Sequence, residues 1–236
     1  MITFVEETGS TNADLLDQLS AGSILCEGDW LVARRQLHGR GRQGRKWFDG
    51  LGNFMGSTIV SHGRFDPPLQ SIALMAGIAV YEAIKHFLKS DAGLELKWPN
   101  DVLFGGAKLS GLLLETNGRM VVVGIGVNLL IKPQIPERKT IALADLADCP
   151  SLDTFTTVLT SSFHRELQIW RSHGLDLLIR RWQNKGHPIG TPLTVHDANG
   201  ELISGVFSGL SEIGSLLLKD QDDKMYVVNS GEVSLG

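Results

Sequence analysis

Residues 108–128 commit this chain to an antiparallel sheet. Residues 108–115 read as a strand, Asn117-Gly118 is a strong type I′ hairpin signal, and 120–127 read as the partner strand. The run Val121-Val122-Val123 has the texture of a strand buried on both faces. Gly124 and Gly126 interrupt it, and Asn128 follows directly. Glycine inside a strand marks a place where another group comes close to the backbone.

Around this hairpin the rest of the chain supplies more strands and a few helices. Segments 2–5, 30–33, 53–60, 94–97 and 102–104 read as strands, with Gly105-Gly106 turning into 108–115. Trp98-Pro99-Asn100-Asp101 must break the sheet, because proline cannot sit inside it. Leu15, Leu16 and Leu19 lie at helical spacing after Thr8-Gly9-Ser10-Thr11-Asn12. Ser10 and Thr11 therefore have a plain role as helix caps and a functional one as ligand partners at a helix N-terminus. Pro67-Pro68 opens a second helix, whose face of Ile72, Met75, Ala76, Ala79, Val80, Ala83, Ile84 and Phe87 serves packing. Residues 140–147 read as a short helix, 152–173 as a long one with a stripe of Phe155, Leu159, Phe163 and Trp170, and 175–184 as another.

From Pro192 the texture changes. Short alternating segments at 193–196, 201–208, 215–218 and 225–228 are separated by turn signals at 197–200, 211–214 and 220–223. Strands of that length suggest a small barrel of the SH3 kind. The expected fold is α+β: a mixed, mostly antiparallel sheet flanked by helices in residues 1–188, then an SH3-like β-barrel in 189–236.

The chemistry is concentrated at residues 34–47. Six basic side chains, Arg34, Arg35, Arg40, Arg42, Arg45 and Lys46, stand there with three glycines and no acid, in a chain whose net charge is −4. Glycines let the backbone approach a ligand, and successive N–H groups with guanidinium groups make an anion site. Trp47 adds a flat face for a ring. The spacing Gly39-x-Gly41-x-x-Gly44 matches a dinucleotide fingerprint by letter only: no helix opens at its last glycine, and Gly50 and Gly52 follow instead. A solvated surface loop or a nucleic-acid patch would also fit a basic run.

Other classes are narrowed by composition. Apolar residues make up 42% and charged residues 20%, enough for a packed core. Cys26 and Cys149 form no CxxC, which opposes a disulfide framework or a cysteine zinc site and fits a reducing compartment. There is no apolar leader at the N-terminus and no run long enough to span a membrane, so a cytoplasmic protein without a membrane partner is expected. The seven histidines are scattered, and no HExxH, Walker lysine loop or Ser–His–Asp order is present.

Four segments together resemble the biotin protein ligases: Ser10-Thr11-Asn12; Gln36-x-x-Gly39-Arg40-Gly41-Arg42-x-Gly44-Arg45-Lys46-Trp47; Lys97-Trp98-Pro99-Asn100-Asp101 with Lys108-x-x-Gly111; and Gly124-Ile125-Gly126-Val127-Asn128. The segment at Gly231-Glu232-Val233 is similar to that family's C-terminal barrel. The resemblance implies a catalytic sheet like that of class II aminoacyl-tRNA synthetases. It also implies a two-step reaction: biotin's carboxylate attacks the α-phosphate of ATP, giving biotinyl-5′-AMP and pyrophosphate, and a carrier lysine then takes the biotinyl group. Mg²⁺ and fixed cations suit such a transition state, with no dedicated protein metal site.

The residue roles implied are as follows. Arg42, Lys108 and Asp101 are catalytic: Arg42 contacts phosphate, Lys108 holds the biotin carboxylate and bridging phosphate oxygens, and Asp101 orients or deprotonates the acceptor lysine, with ligation of Mg²⁺ through water or bracing of the loop as its alternatives. Ser10, Thr11, Asn12, Gln36, Gly39, Arg40, Gly41, Arg42, Lys108 and Gly111 bind biotin, Gly111 by leaving room for it. Arg42, Arg45, Trp47, Asn100 and Asn128 bind the nucleotide, Trp47 against adenine. The implied partner is the biotin carboxyl carrier protein of acetyl-CoA carboxylase, and a homodimer is open. Some members carry an N-terminal winged helix and act as repressors. Here the catalytic pattern begins by residue 4, so no DNA binding is expected. Leu37-His38 stand where the family more often has small residues.

Two other functions fit less well. A lipoate or octanoate ligase or transferase shares fold and chemistry, but the arginine-rich loop favours biotin. A nucleic-acid-binding module would need salt-sensitive oligonucleotide binding and indifference to ATP.

Overall fold

In the computed structural model, which describes residues 1–136, 138–197 and 201–235, two sheets account for the strands. The larger contains β1 (Ile2–Thr8), β2 (Trp30–Gln36), β3 (Phe54–Ser61), β4 (Leu94–Lys97), β5 (Asp101–Phe104), β6 (Ala107–Asn117) and β7 (Met120–Val127) in the order β1-β2-β3-β7-β6-β5-β4. Only β1 and β2 pair in parallel; the other neighbours are antiparallel. The mixed, mostly antiparallel sheet expected from the hairpin is thus observed. The hairpin turn itself differs. Asn117 pairs with Met120, so the turn is Gly118-Arg119, and only Gly118 has positive φ. A type I′ turn needs positive φ at both central residues, whereas glycine first is the type II′ arrangement.

One face of this sheet carries α2 (Ile72–Lys85) and α3 (Leu152–Gln183). Odd residues of β7, Val121, Val123, Ile125 and Val127, point into that core. Phe155, Phe163, Trp170 and Trp182 of α3 are buried there. Trp170 is anchored by Nε1 donating to Ser71 Oγ at 2.9 Å. The opposite face is covered only in part, by α1 (Thr11–Ser20), whose Leu15 packs with Leu31, Ile59 and Val122. Beyond α1 that face stays open, and the cavity lies there. No helix among the described residues is long and apolar enough to cross a membrane.

Some element boundaries moved. The helix after Pro67-Pro68 begins at Ile72, behind a 3₁₀ turn at Leu69–Ser71. Residues 140–147 make only a 3₁₀ turn, Leu143–Asp145. The N–H groups of Leu143 and Ala144 are given to the carbonyls of Asn128 and Leu129 instead. The two helices expected at 152–173 and 175–184 meet at Gly174, where φ is 73° and ψ is −172°. A Cβ there would meet nothing within 4 Å, so substitution carries only a backbone cost. Gly174→Ala should lower the unfolding free energy by about 1–2 kcal/mol in denaturant titration, with an unchanged slope.

The second sheet contains β8 (Pro192–Asp197), β9 (Leu202–Leu210), β10 (Leu216–Lys219), β11 (Met225–Val228) and β12 (Gly231–Leu235) in the order β11-β10-β9-β8-β12. It is the small SH3-like unit, antiparallel throughout, with its two edge strands consecutive in the chain. Strand β12 was not marked by alternation in the sequence. The turn signal at 197–200 falls largely outside the described residues. Leu193, Val195, Phe207, Leu216 and Leu218 join the same hydrophobic cluster as α2 and α3. Trp98 Nε1 donates to the carbonyl of Gly214 at 3.2 Å, tying the main sheet to this unit. The C-terminal sheet is therefore held close to the open face.

Candidate active site

A cavity of about 830 Å³ opens on the uncovered face, bounded by the basic loop, β4 to β7, residues 133–136 with Arg138 and Thr140, and β12. A register irregularity puts its main lysine there. Leu103 pairs with Lys108 but Val102 pairs with Ser110, so β6 carries an extra residue at this point. In a regular strand, residues three apart face opposite ways. The bulge restores Lys108 and Gly111 to one face, while Leu109 and Leu112 both enter the core. Lys108 and Gly111 thus share the cavity face only because of this bulge.

The floor of the cavity is glycine. A Cβ on Gly126 would lie 2.2 Å from the indole of Trp47, and one on Gly111 would lie 3.1 Å from it. The close approach expected at Gly126 is made by the chain's own Trp47. At Gly124 it is made by Asn12, whose Oδ1 would be 2.3 Å from a Cβ. The room expected for a ligand beside Gly111 is thus filled by an indole whose buried Nε1 has no hydrogen-bond partner among the described residues. A ligand lying over these glycines must move Trp47 aside.

The α1 end of the cavity is a polar network of mainly uncharged side chains. Ser10 caps α1, its Oγ accepting from Ala13 N at 3.5 Å. Thr11 instead donates through N and Oγ1 to Gln36 Oε1, at 2.8 and 3.0 Å, and contacts Ser57 Oγ at 2.6 Å. Asn12 donates to Leu113 O and Glu115 Oε2 and accepts from Ser57. Thr11, Asn12 and Gln36 are each less than a tenth exposed. This end offers fixed donors and acceptors suited to a planar polar group.

The other end is charged. Seven cations line the cavity: Arg40, Arg42, Arg45, Lys46, Lys97, Lys108 and Arg138. Four have carboxylate partners. Lys108 Nζ donates to Asp101 Oδ1 at 2.6 Å, and Arg40 meets Glu115 at 3.4 Å. Arg45 and Arg138 share Glu232, the latter at 2.5 Å. Lys46 is exposed. Arg42 and Lys97 are half-buried and have no carboxylate within ion-pair distance among the described residues. Arg42 donates to Asn100 Oδ1 at 3.3 Å and to the carbonyl of Gly231 at 3.2 Å, so it joins the loop to both sheets. Burial lowers its proton affinity, partly opposed by Asp101.

Of the residues read as functional from sequence, all but Gly39 line this one cavity. Gly39 lies behind it, its carbonyl accepting from Trp47 N. Asn100 donates to Leu112 O, and Asn128 donates to the carbonyls of Lys108 and Ile141. Both amides therefore brace the strands that carry Lys108 and Gly111. Four residues given no role from sequence belong to the site: Glu115, Arg138 and Glu232, and Lys97, which had been noted only as part of its motif.

Glu232 comes from β12 and holds two separate loops. Burial works against its charged form, but the hydrogen bonds and charges of Arg45 and Arg138 outweigh this and keep its carboxyl below the ordinary value. The clamp is therefore complete above the ordinary glutamate range and is lost as pH falls through the lowered value. Glu232→Gln should raise the KM for ATP by about tenfold, one charge-assisted contact's worth, and flatten the acid limb of the KM–pH profile.

The comparisons with known proteins agree with this geometry. Residues 6–130 match the biotin/lipoate A/B protein ligase family, and residues 189–236 match the biotin protein ligase C terminal domain. A biotin–[acetyl-CoA-carboxylase] ligase of Paracoccus denitrificans is 30% identical over 97% of this chain and 98% of its own length. A protein of the same name from Mycobacterium tuberculosis is 32% identical over 97% of this chain and 86% of its own. The structure of biotin protein ligase from Aquifex aeolicus in complex with biotin and ATP superposes with a TM-score of 0.85 at 27% identity, covering 100% of this chain and 98% of that one. A bulged lysine strand, a glycine floor, an arginine loop and these matches have one common reading: the chain belongs to the biotin/lipoate A/B protein ligase family, in its biotin protein ligase branch.

Proposed function

We propose that the chain joins biotin to ATP, forming biotinyl-5′-AMP and pyrophosphate, and then passes the biotinyl group to a lysine of the biotin carboxyl carrier protein of acetyl-CoA carboxylase. The observation that carries this reading is the polarity of one cavity. An end of mainly uncharged hydrogen-bonding side chains suits a ureido ring, and a cationic end suits phosphates and a carboxylate. Two anions brought together there react because fixed cations offset their charge as the new bond forms.

In this reading Ser10, Thr11, Asn12 and Gln36 hold the ureido end, with Gly39, Arg40 and Gly41 closing the loop beside it. Gly111 leaves space for the ring system once Trp47 swings away, and the freed indole packs against adenine. Arg42 contacts the α-phosphate, and Lys108 bridges the biotin carboxylate and that phosphate. Asp101 aims Lys108 and later orients the acceptor lysine. Arg45, Asn100 and Asn128 line the nucleotide side. Mg²⁺ enters with ATP. The cavity's own carboxylates, Asp49, Asp101 and Glu232, already hold Arg35, Lys108 and the Arg45–Arg138 pair. They are suited to ordering the cations, and a Mg²⁺ bound with ATP would supply further charge neutralisation at the phosphates.

We assign catalysis to residues 1–188 and a clamping role to the barrel of 189–236. No DNA-binding role is assigned: Arg34, Arg35, Arg40 and Arg45 of the basic loop already face carboxylates of this chain. A cytoplasmic location fits the two free cysteines. Sedimentation velocity decides between a monomer and a homodimer.

The test is incubation with MgATP, a carrier domain and labelled biotin, lipoate or octanoate. Biotin-dependent pyrophosphate release and label on the carrier are expected with biotin only. Transfer of lipoate or octanoate instead would replace this reading with the related ligase.

A further inference from the structure

Lys97 is the last residue of β4 and sits opposite Asp101 across the β4–β5 pair. Leu94 and Leu96 enter the core, so alternation turns Lys97 to the cavity, which it lines. Asp101 does not neutralise it by contact, because that carboxylate holds Lys108 Nζ at 2.6 Å. Arg138 and Lys108 add like charge nearby. Burial, more than these neighbours, disfavours its protonated form. A half-buried ammonium with no carboxylate partner among the described residues weakens the free protein. A methionine of similar length would fit the same place at less cost. Such a residue makes sense where an anion from outside completes it.

The sheet indicates which anion. Lys108, Asp101 and Lys97 stand on the consecutive strands β6, β5 and β4. Two strand spacings are about 10 Å. A triphosphate whose α-phosphate meets Lys108 and Arg42 therefore extends along this row toward Lys97. We propose that Lys97 is a further catalytic residue of the adenylation step, gripping the β- and γ-phosphates of ATP and the pyrophosphate that leaves. A biotin carboxylate oxygen forms a bond to the α-phosphorus. The bond from that phosphorus to the bridging oxygen breaks, its electron pair departs on pyrophosphate, and the Lys97 ammonium offsets that charge. No such anion remains in the second step, so Lys97 has no part in transfer to the carrier lysine. This rests on the ligase reading above.

The test compares wild type with Lys97→Met, Lys97→Gln and Lys97→Arg. It reads biotin-dependent pyrophosphate release, inhibition by added pyrophosphate, transfer from pre-made biotinyl-5′-AMP to a carrier domain, and thermal unfolding. Lys97→Met should lower kcat/KM for ATP by about 10- to 100-fold, the range of one lost charged donor. Inhibition by pyrophosphate should weaken by a similar factor. Transfer from the pre-made adenylate should stay within about twofold, and Tm should hold or rise, since a desolvated charge is gone. Lys97→Arg should recover most of the ATP term, and Lys97→Gln serves in place of Lys97→Met if that variant does not fold. Equal losses in both half-reactions, or unchanged pyrophosphate inhibition, would overturn the proposal. A wild-type protein that releases no pyrophosphate would instead overturn the ligase reading itself.

Discussion

Lys108→Ala is expected to slow biotinyl-5′-AMP formation by about 10³-fold, the upper range for removing one preorganised donor from a transition state. The reason is positional. The β6 bulge carries the ammonium to the cavity face, and Asp101 fixes it there at 2.6 Å. It stands directly beside the glycine floor: a Cβ on Gly111 would lie 3.0 Å from Lys108 Nζ. The variant also strands the Asp101 carboxylate, which is only 12% exposed, so Tm should fall. A second variant separates the two effects. Lys108→Met combined with Asp101→Asn removes both charges and should regain stability without regaining adenylation. Single-turnover pyrophosphate release and a thermal melt make the measurement. A double variant that adenylated at more than a tenth of the wild-type rate would show that this lysine does not meet the reacting phosphate.

Much of this site was legible because its parts are local. The basic loop, the Lys97–Asp101 segment and the two glycines of β7 each act through a few neighbouring residues, and alternation along β7 assigns its faces directly. Lys108-x-x-Gly111 was legible as a motif but misleading as a strand, since period two separates its ends. Only the register against β5 reveals the extra residue. The clamp could not be read at all. Glu232 meets Arg45 across 187 positions and Arg138 across 94, and nothing in the short Gly231–Leu235 segment signals a partner in a loop so distant. Glu115 has the same history: its partners Asn12 and Arg40 are brought to it by sheet order. Trp47 was read as a flat face for a ring; its seat over Gly126 depends on how the 39–47 loop folds back. That fold-back is set by the Trp47 N–H donating to Gly39 O and the Gly41 N–H donating to Arg45 O. In each case the missing information is a distant pairing, a bulge or a loop's own fold-back, set by backbone register rather than by residue type.

Arg42→Ala is expected to lower kcat/KM for ATP on the order of 10²-fold, and Arg42→Lys to recover little of it. The guanidinium spans three parts of the molecule: its own loop, Asn100 after β4, and the Gly231 carbonyl that opens β12. Both of its present acceptors are neutral oxygens at 3.2–3.3 Å, long for charge-assisted contacts, so the full charge is left for an incoming phosphate. A lysine offers a point charge and cannot bond to two bodies and a phosphate in one plane. The loss should appear mainly in KM for ATP if the arginine only closes the loop. It should appear in kcat if the arginine also meets the charge that develops at the α-phosphate. Because Lys108 lies on a bulged strand rather than the loop, the two variants should combine sub-additively if both cations touch the same phosphate. Full additivity in a double-mutant cycle would place them on different groups of the substrate and assign Arg42 to loop closure alone.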